Sequence, residues 1–393
     1  MVNMFIYSAI SSFKREVHEI ISDKLYLSTL LLIPTLMVLF FGVIFYRGTI
    51  EGVPIAVVDR DCTPLSRQML SMINNTAGVT IAFEEVSLYD AEERMLCGDV
   101  EAIITIDRGF EDVIYRGGCA TVGCYLSGAN ISASGVASKD IQLAVQSFSV
   151  GVGLQRLESI GIEYAQAMVD IMPINIQSNI ISNPYLNYGY YLAPIFMILG
   201  VVVFTVLATI YAIGRELRYG TAHGWLSTSN NSLAGGVVGK LLPTTIAMTL
   251  MSQIIYLVLF VIMGMECKGS YIVLTLVTIL FIIVYQIVAL SIISVTANLR
   301  LALSLGGGYS VMAFTFSGVT FPTMAMYGVA RIFSKLFPLS YFSEFFVGQV
   351  MRGAPIYYDM DNLLYMLLFL SLLPLSWCRL RRVVSDEKYW GRE

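Results

Sequence analysis

The residues able to do chemistry are few and scattered. Two histidines, His18 and His223, stand far apart, and no HExxH, paired CxxC or Cys/His cluster accompanies them. A metal centre or a Cys/His or Ser/His nucleophile arrangement is therefore not expected. Gly239-Lys240 comes near a phosphate-cradling loop, G-x-x-x-x-G-K-[ST]. Ala234 and Leu241 occupy the first glycine and the hydroxyl positions, so the loop would lack both its turn and its Mg²⁺ contact. The chain is expected to hydrolyse no nucleotide and to bind no cofactor. Arg215, Glu216 and Arg218 cluster after an apolar stretch, followed by Tyr219, Gly220 and Thr221. The arginines suit a positive anchor at a membrane surface, but Glu216 and the Gly-Thr pair call for contact with a partner. Thr221 also reads as an ordinary helix cap. Gly306-Gly307-Gly308 sits in an uncharged stretch, where small residues permit close helix packing. A hinge is the other reading there. Of the cysteines, Cys62, Cys97, Cys119 and Cys124 leave disulfides and free buried thiols both open.

The elements that hold these residues are set by composition. The 393 residues are 56% apolar and 13% charged, with a mean hydropathy of +0.72. So few charges cannot cover a soluble protein of this size, and neither disorder nor coiled coil fits. Six uncharged stretches are long enough to cross a bilayer: 25–46, 185–213, 241–265, 271–296, 301–330 and 363–378. The fifth is too long for one span, so a helix to about Phe321 followed by irregular backbone is expected. The first has a long apolar core and no cleavage site, which argues for a retained helix over a signal peptide. The expected class is an α-helical polytopic membrane protein with six transmembrane helices and an inserted α/β extracytoplasmic domain.

Lysine and arginine set the orientation. With six spans, twelve basic residues fall on the side holding both termini, against four in the short loops opposite. Both termini are expected in the cytoplasm of a bacterial inner membrane. The long segment 47–187 carries 17 acidic and 8 basic residues and falls outside. Within it, Val53–Val58 reads as a strand, Thr63-Pro64 as a helix start, 79–83 as a strand, 90–97 as a helix stopped by Gly98, and 100–106 and 120–126 as further strands. From 131 to 171 the spacing of Val136, Ile141, Val145, Phe148, Val152 and Leu154 reads as one long helix or a helix pair. Ile6, Ile10, Phe13, Val17 and Ile20 mark 1–24 as an amphipathic interfacial helix, leaving Lys14, Arg15, Glu16 and Glu19 on its other faces. Packing of that helix on a partner is the alternative. The organisation is then 1–24, the first span 25–46, the outer domain 47–187, a five-helix region 188–380 and a tail 381–393. The five-helix region contains a cytoplasmic segment 214–240 and an outer re-entrant segment 322–358.

In this order the chain resembles the permease subunit of a type 2 ABC exporter, in the subgroup with a large outer domain between the first two spans. The resemblance rests on Val53-Pro-Ile-Ala-Val-Val-Asp59, Thr63-Pro-Leu-Ser-Arg67, Gly98–Ile106, Gly109-Phe110 and Asn183-Pro184. It continues with Arg215-Glu216, Gly220-Thr221, Gly239-Lys240, Phe316-Ser-Gly318, Phe321-Pro322, Phe337-Pro338 and Arg352-Gly353. It departs where Ala212-Ile213 replaces a second Arg-Glu pair, and in lacking proline after Trp225–Thr228. The resemblance implies a coupling segment with Arg215, Glu216, Tyr219, Gly220 and Thr221 against a separate ABC ATPase subunit, which would hold the ATP. It implies a second permease subunit, identical or similar, and in a two-membrane bacterium a periplasmic adaptor and outer-membrane channel. No nucleic acid is expected. The six stretches as bounded hold no charge, which argues against ion coupling. That leaves a pathway for an apolar or amphipathic substrate, lined by Tyr309, Met312, Phe314 and Phe316, with Phe321 and Pro322 at the outer gate. Ordinary packing or lipid contact is the competing account of each of these six. The rival function is a membrane receptor or scaffold whose outer domain binds a ligand or protein. A membrane-embedded enzyme would need paired carboxylates, a Ser/His set or a metal set, and none is visible.

Overall fold

The computed structural model describes residues 2–46, 48–172, 182–183 and 187–391. Pro184 and Tyr185, named above, lie outside them. In chain order the elements are α1 (Val2–Ser22), α2 (Lys24–Ile44), β1 (Val53–Asp59), α3 (Pro64–Asn74), β2 (Val79–Glu84), α4 (Leu88–Cys97), β3 (Ala102–Ile106), α5 (Phe110–Tyr115) and β4 (Val122–Leu126). Then follow α6 (Ile131–Ser159), α7 (Tyr164–Ile171), α8 (Tyr188–Arg218), α9 (Ala222–Thr228), α10 (Leu233–Ile262), α11 (Tyr271–Thr296), α12 (Leu299–Thr315), α13 (Gly328–Ser334), α14 (Pro338–Phe346) and α15 (Ile356–Ser385). The chain divides into a helical unit, Met1–Gly48 with Ile180–Glu393, and a sheet unit, Thr49–Asn179.

In the sheet unit the strand order is β2-β1-β3-β4, with β1 parallel to both neighbours and β4 antiparallel at the edge. Alternation along β1 sends Val53, Ile55 and Val57 to one face, packed with Met69, Ile73, Ile141 and Phe148. Ala56 and Val58 go to the other, under Ala91, Val100 and Ile103. Local chemistry sets the element ends. Thr63 accepts from the Ser66 N–H as N-cap of α3, with Pro64 at the first turn. Gly98, at φ +83°, ends α4 in the left-handed region. The expected helical stretch 131–171 is a pair, α6 and α7, parted at Gly161. Cys62, Cys97, Cys119 and Cys124 are free and exposed, so the reading of them as buried thiols is corrected.

Among the described residues of the helical unit, five helices are long and apolar enough to cross a membrane: α2, α8, α10, α11 and α15. The long helix in the expected span 301–330 is α12, of 17 residues. That helix stops at Thr315, short of Phe321, where the chain turns through Gly318 at φ +86°. The stretch expected at 363–378 is longer than expected, because α15 runs through Arg381 and Arg382 to Ser385.

Helix α1 is seated by its small residues. Its inward line is Ser8, Ser12, Glu16 and Ile20, while Ile6 and Ile10 of the expected apolar stripe are about half exposed. The inward line sits on α10, where Gly235 and Gly239 present bare backbone to Ser8, Ala9 and Ser12. A β-carbon at Gly239 would collide with the Ala9 carbonyl and come within 2.8 Å of Ser12 Cβ. Small residues four apart bring the two backbones together, leaving Ile6 and Ile10 facing out while Ile20 at the end of the stripe turns in.

Candidate functional site

Three helices meet around charges that are far apart in sequence. Glu16 (α1), Glu216 (α8) and Lys240 (α10) each have side chains 1% exposed. Helix α10 starts at Leu233, so Lys240 lies about two turns inside it and not at the end of a loop. The helix therefore begins eight residues before the expected stretch 241–265 and carries Lys240 in its first part. The Lys240 ammonium donates to Glu16 Oε2 and, at 2.8 Å, to Glu216 Oε1. It also stands 5.4 Å from the centre of the buried Trp225 ring. Arg15 Nη2 donates to both Glu216 oxygens at 3.0 Å, and the Thr221 hydroxyl donates to Oε2. Tyr26 OH donates to Glu16 Oε1 at 2.8 Å. Both carboxylates are thus fully engaged, as buried charges must be. Burial pushes the Glu16 carboxyl above its ordinary range, against the pull of Lys240 and the Lys240 and Tyr26 hydrogen bonds.

A looser ring surrounds this core. Arg215 lies 3.6 Å from both Glu19 and Asp23, and Tyr211 OH donates to Asp23 at 2.6 Å. Although burial raises the Asp23 carboxyl, the Tyr211 hydroxyl, the Tyr26 and Leu25 N–H groups and Arg215 bring it below its ordinary range. Ser12 links the layers, donating to the Gly236 carbonyl at 2.8 Å and accepting from Trp225 Nε1 at 3.1 Å.

The backbone between α8 and α10 follows from the same residues. The Thr221 N–H returns to the Glu216 carbonyl at 3.0 Å, closing α8 with Gly220 at φ +68°. Asn230 and Asn231, both at positive φ, turn the chain into the Ser232 cap of α10. Between these turns α9 buries Ala222 and Trp225 and exposes His223, Gly224 and Ser227. Tyr219, Gly220 and Thr221 are exposed beside it. Trp390 closes the edge, its ring 5.0 Å from that of His223 and the adjacent Gly391 N–H on the Leu217 carbonyl.

Of the five expected coupling residues, Tyr219, Gly220 and Thr221 are therefore presented outward. Arg215 is half-buried, and Glu216 points inward. Sequence reasoning missed Arg15 and Lys240 as partners of Glu216, and Glu16 as the second carboxylate on Lys240. The usable signals were Gly235 and Gly239 four apart beside a lone lysine, and Ser8, Ser12 and Glu16 four apart on α1.

The six aromatic and gate residues do not form one lining. Tyr309 OH donates to the Leu336 carbonyl at 2.9 Å, and its ring lies 5.1 Å from Phe337. Phe316 stacks on the same Phe337 at 6.1 Å, so these two belong to one cluster. Phe314 packs elsewhere, 5.0 Å from Phe196, while Met312 and Phe321 are about half exposed. Pro322 borders a 660 Å³ cavity with Tyr191, Glu344, Arg352 and Asp359. No group of three or more His, Cys, Asp or Glu is placed to hold a metal among the described residues.

A family model described as ABC-2 family transporter protein matches residues 24–375. Among solved structures, a crystal structure described as a domain of an ABC type-2 transporter from Thermotoga maritima MSB8 is similar to part of this chain. It shares 23% identity over 31% of this chain and 81% of that one, at a TM-score of 0.24. No curated protein matches.

Proposed function

The chain belongs to the ABC-2 family of transporter proteins, and on that premise we propose that it is the permease subunit of an ATP-driven exporter. As a multi-pass membrane protein of that family it is a transport component, and a separate ABC ATPase subunit supplies the hydrolysis. The finer reading is six spans, with α12 and the turn after it forming the fifth. Both termini face the cytoplasm of a bacterial inner membrane, and the sheet unit lies outside. The substrate is apolar or amphipathic, and it leaves near 318–353. A second permease subunit completes the pathway, and a periplasmic adaptor and outer-membrane channel receive the product in a two-membrane cell.

One observation carries the coupling role. The exposed ridge formed by Tyr219–Thr221 and α9 is tied by Glu216 to Lys240 and Arg15, and hence to α1 and α10. A push on the ridge is transmitted to three helices at once, because removing any tie leaves a charge buried and unpaired. Glu216 acts here as a positioning residue, and the ridge supplies the contact itself.

The test is co-purification with a co-expressed ATPase subunit. Tyr219→Asp and Gly224→Trp change the exposed ridge only. Each is expected to lower ATPase retention by about tenfold or more with unchanged thermal stability, the size typical of an interface anchor. Glu216→Gln is expected to retain the ATPase better than either but to lose stability. If both ridge variants hold the ATPase and export at the wild-type rate, the ridge is not the coupling surface.

A further inference from the structure

The sheet unit contains a cavity that the transport reading leaves unused. It measures 300 Å³, at the small end of small-molecule sites, and lies against one face of α6, the loop before β4, and α5. Its walls are apolar: Met69, Phe110, Ile114, Val122, Val145 and Phe148 all contribute. Phe110 and Phe148 are stacked with ring centres 6.5 Å apart, so the wall is a packed surface.

One charged side chain borders this cavity, Arg156, near the end of α6. Its guanidinium makes no hydrogen bond and no ion pair among the described residues. It is exposed at the edge of the cavity. Gly117, at φ +81°, passes directly beneath it, and a β-carbon there would collide with the guanidinium. Ser149, one more lining residue, adds a hydroxyl to the same wall.

We propose that this cavity binds a single-chain amphipathic anion of the fatty-carboxylate class, with the hydrocarbon chain against Phe110, Val145 and Phe148 and the carboxylate on Arg156. The two ends of the site call for the two ends of that ligand. An apolar slot gains from each buried methylene, and a guanidinium matches a carboxylate with two parallel N–H donors. A neutral hydrocarbon would leave Arg156 unused, and a compact hydrophilic anion would leave the walls unfilled. The inference does not depend on the direction of transport or on the ATPase.

The experiment uses the full chain in phosphatidylcholine nanodiscs, with empty nanodiscs measuring partition into lipid. The probe is dansylaminoundecanoate, displaced by octanoate, decanoate, dodecanoate or dodecanol. Wild type is expected to show displaceable fluorescence above the empty discs. Affinity should rise about fourfold per added methylene, the burial gain of one CH₂, until the cavity is full. Arg156→Gln should weaken dodecanoate about tenfold and leave dodecanol unchanged, as for loss of a charge-assisted hydrogen bond. Arg156→Lys should fall between, and Val145→Trp should abolish binding of both. No displaceable signal above empty discs would overturn the proposal. So would an Arg156→Gln protein, with wild-type thermal stability, that binds dodecanoate as wild type does.

Discussion

Glu216 in the helical unit and Asp61 in the sheet unit are both carboxylates placed between elements, and they are neutralised by opposite means. Glu216 is 1% exposed and is held by two side-chain cations and a hydroxyl, from Lys240, Arg15 and Thr221. Asp61 is half-buried and is held chiefly by backbone. Its Oδ1 accepts from the N–H groups of Gly109 at 2.7 Å and Phe110 at 3.2 Å, and Oδ2 from Glu111 at 3.1 Å. Those donors open α5, and Thr63 Oγ1 adds a fourth at 2.7 Å. Where water is near, unpaired N–H groups at a helix start suffice to fix a carboxylate. Where three helices close over it, a full positive charge is required, and the arrangement fails if one member is missing.

The steepest test of this contrast is Lys240→Met. It leaves Glu216 with Arg15 as its remaining cation and Glu16 with no cation among the described residues, at an expected cost of about 3–5 kcal/mol. Thermal unfolding in detergent should show a large loss, and Glu16→Gln on the same background should recover part of it. A Lys240→Met protein that melts with wild type would break the contrast, because the charges would then be solvated. Gly239→Leu comes next. It forces side-chain volume into the Ala9–Ser12 contact, costing about 1–3 kcal/mol as overpacking does. Protease should then cut α1 more readily, with the sheet unit unchanged. Unaltered protection of α1 would show that this helix is not held through Gly239.

The two units also differ in how far the sequence discloses them. In the sheet unit the signals are local. Thr63-Pro64 caps a helix, Gly98 ends one, and the run from Val53 alternates two faces, so each expected element is found within about two residues, although α5 had no expected counterpart. Five of the six expected apolar stretches were legible from length and composition, while the stretch 301–330 holds the shorter α12. The ion network was not, because its members lie 201 and 224 residues apart and no local rule pairs them. Amphipathicity pointed the wrong way for Glu16. In a membrane the apolar stripe of α1 belongs outside, and the small polar stripe makes the protein contact. Tyr309 and Phe316 were brought into one cluster through Phe337, a residue that their own spacing does not single out.

The smallest expected effect separates the two carboxylate types by pH. Burial tends to raise Asp61, but the Thr63 hydroxyl and the three N–H groups hold its carboxyl below the ordinary range. A group whose folded pKa is depressed contributes stability above its unfolded pKa, about 3.9, and loses it as pH falls through the folded value. Glu16 has the opposite sign, because burial raises it in the folded state. Its contribution is full below the unfolded pKa of about 4.3 and is lost as pH rises through the folded value. Asp61→Ala is therefore expected to cost about 1 kcal/mol at pH 7, the usual worth of a helix cap, and progressively less under acid. Glu16→Gln should differ from wild type most at neutral pH and least once wild-type Glu16 has taken its proton, which happens at a higher pH than for Asp61. Unfolding measured from pH 7 down to about pH 3 for wild type and both variants reads both signs. An Asp61→Ala deficit that stays constant across that range would mean that the ionised carboxylate is not what fixes the start of α5, and the contrast with Glu216 would reduce to one of burial alone.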